Sequence, residues 1–272
     1  MQNNFRYFYE SLGSRYPEDS IVYNTLSGRI RKDWITRRLQ EMPPGSLIDC
    51  GCNIGTLSRK WNRGIVYGVD IAHSVLERGR RHSPRTNFFQ ADVLNLAMIK
   101  SDSITNAIAC EVIEHLQRPE AFFAQIHRVM KKDGVLLVTS PNFTGQRPRK
   151  VSLGILQSYG VTEGTDGIEY LHTAYKPHEL AAMAQDAGYT IALQGSFEFE
   201  LRGWLKILTL AERVMAELVM HLAPASRMNC MLAASFRRLE ITLFGMLDVF
   251  GFGRLLRYLF KEGRRSYIVA RK

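Results

Sequence analysis

Asp49-Cys50-Gly51-Cys52-Asn53-Ile54-Gly55 joins a short apolar run, Leu47–Cys50, to a segment, Thr56–Trp61, that reads as the start of a helix. Gly51 carries no Cβ, so backbone at that point can approach a ligand closely. Gly55 is expected to open the helix, whose free N–H groups favour an anionic group such as a carboxylate. Asp49 could accept from an ammonium. Asp70 closes a second apolar run, Ile65–Asp70, where a carboxylate can accept both hydroxyls of a ribose. Asp92 closes a third segment, Thr86–Asp92, and could accept from the exocyclic amine of adenine beside the backbone N–H of Val93. The glycine spacing is G-x-x-x-G, unlike the G-x-G-x-x-G of dinucleotide binders. A carboxylate, an ammonium, a ribose and an adenine together describe S-adenosylmethionine (AdoMet), which is the predicted cofactor.

A second group of reactive side chains follows the apolar run Ile104–Cys110, in Glu111-Val112-Ile113-Glu114-His115. If Glu111 opens a helix, then Glu111, Glu114 and His115 stand at i, i+3 and i+4 and share one face. Two carboxylates and an imidazole can hold a divalent cation; Mg²⁺ prefers oxygen ligands, whereas Mn²⁺ accepts an imidazole more readily. A cation bridging neighbouring hydroxyls would lower the pKa of one of them. Two other readings stay open. In one, the glutamates are helix-start residues favoured by the dipole and His115 alone is the catalytic base. In the other, the histidine is structural. His178, at a helix start, reads as a capping or surface residue.

These residues need a scaffold, and the pattern around them supplies one. Apolar runs at 47–50, 65–70, 86–92, 104–110 and 135–140 alternate with helical segments at 73–82 and 118–131. Such alternation predicts parallel βαβ units in an α/β fold, with helices on both faces of the sheet and ligands beyond the carboxyl ends of the strands. The glycine turn and both aspartates fall at those ends. Upstream, Asn24–Gln40 has helical spacing and Pro43-Pro44-Gly45 stops it. Downstream of Pro141 a polar, Gly-rich stretch to Tyr170 reads as a long loop or lid. Lys176–Gly188 is predicted helical, and Thr190–Phe197 and Ser266–Arg271 are predicted strands. The expected organisation is an N-terminal helical segment (1–46), a core (47–199 and 266–272), and a basic amphipathic helical insertion (200–265).

LIDCGCNIGTLS, YGVDIAHSVLERGR, FFQADVLNL and ITNAIACEVIEHLQRPEAFFAQIHRVMKKDGVLLVTSPN resemble the successive motifs of class I AdoMet-dependent methyltransferases, over roughly residues 45–142, and LHTAYKPHELAAMAQDAGYT continues the match. The resemblance implies a Rossmann-like seven-stranded sheet whose last strand inserts antiparallel. It implies cofactor contacts at Asp49, Gly51, Asn53, Gly55, Asp70, Ile71, Asp92, Val93 and Cys110. Cys52 departs from it, since many members carry a smaller residue there. CEVIEHL is not the N/D-P-P-Y motif of enzymes that methylate exocyclic base nitrogens. It resembles the group that contains ubiquinone-pathway catechol O-methyltransferases, glycan and natural-product O-methyltransferases, and small-RNA 3′-end methyltransferases. In the catechol and small-RNA members, the resembling residues hold a metal together with a further histidine, which here corresponds to His172.

Composition narrows the acceptor only coarsely. The formal charge of +10 favours an anionic neighbour. Residues 200–272 hold 13 Lys and Arg against 6 Asp and Glu. Charged residues interrupt the apolar runs there, so a transmembrane span is not expected; a membrane-surface element is, with a helical cap or a homodimer interface as competing readings. Four cysteines, Cys50, Cys52, Cys110 and Cys230, form no disulfide or zinc pattern. No basic-then-apolar leader opens the chain, so a cytoplasmic, membrane-peripheral enzyme is expected. The expected activity is methyl transfer from AdoMet to a hydroxyl of a small-molecule, lipid-linked or glycan acceptor. An RNA-terminal ribose methyltransferase and a non-catalytic partner subunit of the same fold are the alternatives.

Overall fold

The computed structural model describes residues 6, 8–11, 13, 22–152, 169–202, 204 and 239–272. Much of the predicted insertion and the middle of the predicted loop after Pro141 lie outside these residues. Helix α1 (Leu26–Glu41) begins where the Thr25 hydroxyl accepts from the Gly28 N–H at 3.0 Å, and ends at Met42, ahead of the two prolines. It buries Ile35 and Leu39 against Leu47, Val66, Ile108 and Leu137 of the sheet.

The sheet has seven strands: β1 (Leu47–Cys50), β2 (Val66–Asp70), β3 (Thr86–Gln90), β4 (Ile104–Cys110), β5 (Met130–Pro141), β8 (Thr190–Phe197) and β9 (Arg265–Arg271). They lie in the order β3-β2-β1-β4-β5-β9-β8. β9 runs antiparallel to both of its neighbours, as expected of the last strand. Strands β1 and β4 are buried on both faces, as a parallel sheet covered by helices requires. One covering layer is α3 (Pro119–Val129) with α4 (Pro177–Asp186), whose Phe122, Phe123, Ile126, Leu180 and Ala184 share a cluster with Ile48, Ala107 and Leu136. α2 (His73–His82) packs Val75 and Leu76 against Phe88 of β3. A two-stranded ladder, β6 (Lys150–Ser152) with β7 (Glu169–Leu171), spans the base of the predicted loop. Chain order reverses between β1 and β4, and the crevice at their carboxyl ends is where such sheets bind ligands.

Two local expectations fail. The segment Thr56–Trp61 is not an α-helix; it holds a single 3-10 turn, Ser58–Lys60, and Trp61 is already extended. The turn is pinned by the Ser58 hydroxyl, which donates to Asp49 at 2.6 Å, and by the Trp61 indole, which donates to the Gly45 carbonyl at 3.0 Å. The few residues left before β2 must return along the sheet, and extended chain covers that distance with fewer residues than helix does. Gly55 therefore opens no more than one turn, in which its carbonyl accepts from the Arg59 N–H at 2.9 Å, and not the full helix expected there. Nor does Glu111 open a helix. Its φ is +59°, a left-handed conformation uncommon outside glycine, and the only helical turn is the 3-10 turn Ile113–His115.

Candidate active site

At the carboxyl ends of the strands the glycine turn is built as its residue types require. Gly51 and Gly55 have φ of +68° and +76°, and Asn53 is also left-handed at +49°. A Cβ on Gly51 would stand 2.4 Å from a Val112 methyl, so the closest neighbour of this glycine is the loop after β4. Cys52, the departure from the family pattern, is accommodated because its side chain turns inward onto Ala72, Val75, Leu76 and Phe88 and lies over Gly68. Asp70 takes the Asn53 N–H on one carboxylate oxygen at 2.9 Å and the Ala72 N–H on the other at 3.0 Å. It thereby ties the glycine turn to β2. Asp92 lies two residues beyond β3 and accepts from the Leu94 N–H at 2.9 Å. Ile71, Val93 and Cys110 follow or close β2, β3 and β4, so all nine residues expected to touch the cofactor fall at one end of the sheet.

Asp49 is buried, and its one hydrogen bond from Ser58 does not replace the water it has lost. Burial, with the charge of Asp70 nearby, raises its pKa to about 7. A cation beside it would draw the proton off, so AdoMet affinity is expected to rise as pH rises through about 7. The ligand-free protein should behave oppositely. Because the folded pKa exceeds the unfolded one, the stability Asp49 contributes is present below about 4 and is lost as pH rises toward 7. Thermal midpoints of wild type and Asp49→Asn between pH 5 and 8 check this: the difference should change steeply below about pH 7 and level off above it.

Glu114, His115 and His172 converge, with one ligand atom from each lying within 4.8 Å of the others. The Glu114 side chain is fully buried, and neither of its oxygens has a hydrogen-bond partner among the described residues. Burial and the nearby Glu111 charge push it well above the usual carboxylate range. Nδ1 of His115 lies 3.0 Å from the Leu171 carbonyl. A carbonyl only accepts, so Nδ1 carries the proton and Nε2 presents its lone pair toward Glu114, 3.9 Å away. β7 brings His172 in: its N–H donates to the Arg149 carbonyl, and the next N–H, of Thr173, donates to the Glu114 carbonyl. Burial, then the neighbouring His115, lowers His172 to about 4, and burial also lowers His115. Both imidazoles are held neutral, the form that can ligate a cation or take a proton. His178 is exposed on α4, in keeping with a surface role.

Glu111, expected in this cluster, faces elsewhere. Its carboxylate meets Arg265 at 2.6 Å and Arg31 at 3.3 Å and accepts from the Thr139 hydroxyl. Arg31 also pairs with Glu198 at 2.9 Å. Burial alone would raise Glu111; Arg265 and Arg31 overcome it and hold the carboxyl below its usual range. Glu198 is left-handed too, with φ +63°. Of these two glutamates in a costly conformation, Glu111 is held by the buried Arg31 and the half-buried Arg265, and Glu198 by Arg31. Arg31→Met should cost about 3–5 kcal/mol in urea unfolding, because it takes the one arginine from the buried Glu198 carboxylate, leaving it the Ser27 hydroxyl, and one of the two arginines from Glu111.

The N-terminal residues also reach the site. The Glu10 carboxylate accepts from the backbone N–H of His73 and Ser74, supplying the cap that Ala72 cannot give α2. The Tyr9 ring then lies 5.9 Å from that of His115. Sequence reasoning missed Tyr9, Glu10, Arg31, Glu198 and Arg265. A tyrosine before a glutamate carries no pattern, and pairings across as many as 167 positions leave none either. A separate concavity of about 600 Å³, lined by Arg59, Lys60, Arg63 and Arg85, lies toward the amino ends of β2 and β3 and includes none of the candidate residues.

Comparison with known proteins agrees with this geometry. Residues 48–138 match the family described as a methyltransferase domain. A ubiquinone biosynthesis O-methyltransferase of Xanthomonas oryzae pv. oryzae is 26% identical over 165 residues, 58% of this chain and 67% of that protein. A phosphoethanolamine N-methyltransferase 2 of Haemonchus contortus, solved with S-adenosyl-L-methionine, superposes with a TM-score of 0.58 at 18% identity, covering 98% of this chain and 60% of that one. An S-adenosylmethionine-dependent methyltransferase of Mesorhizobium loti superposes with a TM-score of 0.53 at 14% identity, covering 89% and 98%. The strand order, the glycine turn and the match over residues 48–138 support a class I S-adenosylmethionine-dependent methyltransferase domain. AdoMet is its cofactor, and methyl transfer its reaction.

Proposed function

We propose that the chain methylates a hydroxyl of a small-molecule, lipid-linked or glycan acceptor, at a site where Glu114, His115 and His172 hold a divalent cation. The observation that supports this most is the Glu114 carboxylate, buried beside two neutral imidazoles without a hydrogen bond among the described residues. A buried carboxylate in that state is stabilised by a cation. One carboxylate and two imidazoles suit Mn²⁺ better than Mg²⁺. When bound, such a cation lowers the pKa of a hydroxyl that it contacts. The chain's own residues do the rest. Asp70 and Asp92 fix the nucleoside, Gly51, Asn53, Gly55, Ile71, Val93 and Cys110 line its path, and Asp49 draws the positive end of the methionine toward the turn. The Leu171 carbonyl keeps the His115 Nε2 lone pair aimed inward, and Tyr9 covers the imidazole from the N-terminal side. The ubiquinone biosynthesis O-methyltransferases to which the chain is similar act on oxygen by their descriptions, which favours a hydroxyl over a nitrogen acceptor.

Mn²⁺ added to chelator-treated protein tests the cation. Its paramagnetic resonance signal should change on binding with one ion per chain, and the change should vanish in His172→Ala. Unaltered free-ion signal at saturating protein overturns the metal and leaves His115 as the base.

A further inference from the structure

We infer that the helical residues 239–259 dock this chain on an anionic lipid surface, through the outward stripe that ends in Phe250 and Tyr258. The element comprises helical residues 239–249, a turn at Gly251, and α5 (Phe252–Leu259). Its inner face is fixed to the body of the protein. Phe244 and Leu256 are buried with Leu26 of α1, Leu201 and Trp204, and the Trp204 ring meets those of Phe244 and Phe252 edge-on, each at 5.8 Å. Arg257 is held by the Glu200 carboxylate at 2.8 Å, and the Gly253 N–H donates to Asp248.

The outer face is equally apolar and faces solvent. Leu239, Leu243, Met246 and Phe250 recur at i, i+4, i+7 and i+11, which is one stripe along a helix. All four are exposed, Phe250 at 89%, and Val249 and Tyr258 beside them at 82% and 90%. Leu255 and Leu259 extend the surface from α5. A helix with a buried apolar face on one side and a stripe of this kind on the other presents the second to a partner. No described helix is long and apolar enough to cross a membrane, and an amphipathic stripe of this kind suits the plane of a lipid interface. Charge selects the surface. The chain carries +10, which repels a second copy and attracts anions. Exposed Arg254 and Lys261 flank the stripe, and α1, packed against the same element, exposes Arg29 and Arg37. Aromatic and aliphatic tips beside cations are the composition that enters a lipid interface.

Flotation of the full chain with vesicles of phosphatidylglycerol and phosphatidylcholine, and of phosphatidylcholine alone, tests this. Wild type should float with the anionic vesicles at low salt. Phe250→Glu with Tyr258→Glu should lower the bound fraction about tenfold, Phe250→Ala should lower it less, and AdoMet affinity should be unchanged in both. Wild type left at the bottom of the gradient, or a double variant that floats like wild type, overturns the inference. So does a dimer, seen by light scattering, that the double variant dissolves.

Discussion

Replacing Glu114 by Gln is expected to cut methyl transfer by about 10²–10⁴-fold while AdoMet binds as before. The amide is the same size as the acid, and the side chain is fully buried, so packing is preserved. What disappears is the one negative charge among the three converging side chains. Without it a cation loses its only anionic ligand there, and a hydroxyl is no longer drawn toward its ionised form. The variant should fold at least as well as wild type, because burial already disfavours the carboxylate in the ligand-free chain. His115→Ala separates the readings of the site. If His115 works alone as the base, its loss abolishes transfer while Glu114→Gln leaves it nearly intact. If the cluster holds a cation, both are lost, and both lose Mn²⁺.

The second large effect is at Asp70. Asp70→Ala is expected to weaken AdoMet binding at least about 100-fold by calorimetry, since hydrogen bonds to a charged group are worth about 1.5–3 kcal/mol each. Two consequences combine. The ribose hydroxyls lose their acceptor, and the N–H groups of Asn53 and Ala72 lose theirs, which loosens the turn around Gly51 and Gly55. Asp70→Asn keeps one acceptor oxygen and should fall between. Unchanged affinity in the alanine variant would remove Asp70 from the ribose.

The parallel core was legible because buried strands announce themselves as apolar runs of fixed length: Ile104–Cys110 is found with the predicted bounds, as is the helix His73–His82 that follows β2. The cofactor end was legible for a related reason, since strand ends, glycines and aspartates coincide in the chain. The acceptor end was not. Its residues come together from distant places: His172 arrives just after β7, Tyr9 from the N-terminus, and Arg31 on α1. Local periodicity also misled at Glu111. Spacing of i, i+3 and i+4 presupposes a helix, but Glu111 is left-handed and its carboxylate pairs with Arg31 and Arg265 instead. The helix expected after Gly55 failed likewise, because hydrogen bonds from Ser58 to Asp49 and from Trp61 to Gly45 override a weak helical tendency.

Where the methyl group goes is the most direct test of the site. Labelled AdoMet, incubated with the protein and an extract separated into lipid, glycan, small-molecule, nucleic-acid and protein fractions, should transfer label to the lipid, glycan or small-molecule fraction as a methyl ether, and chelation should abolish the transfer. Label confined to RNA ends would favour ribose methylation, and label on nitrogen, or transfer indifferent to chelator, would contradict the hydroxyl-and-cation site built from Glu114, His115 and His172.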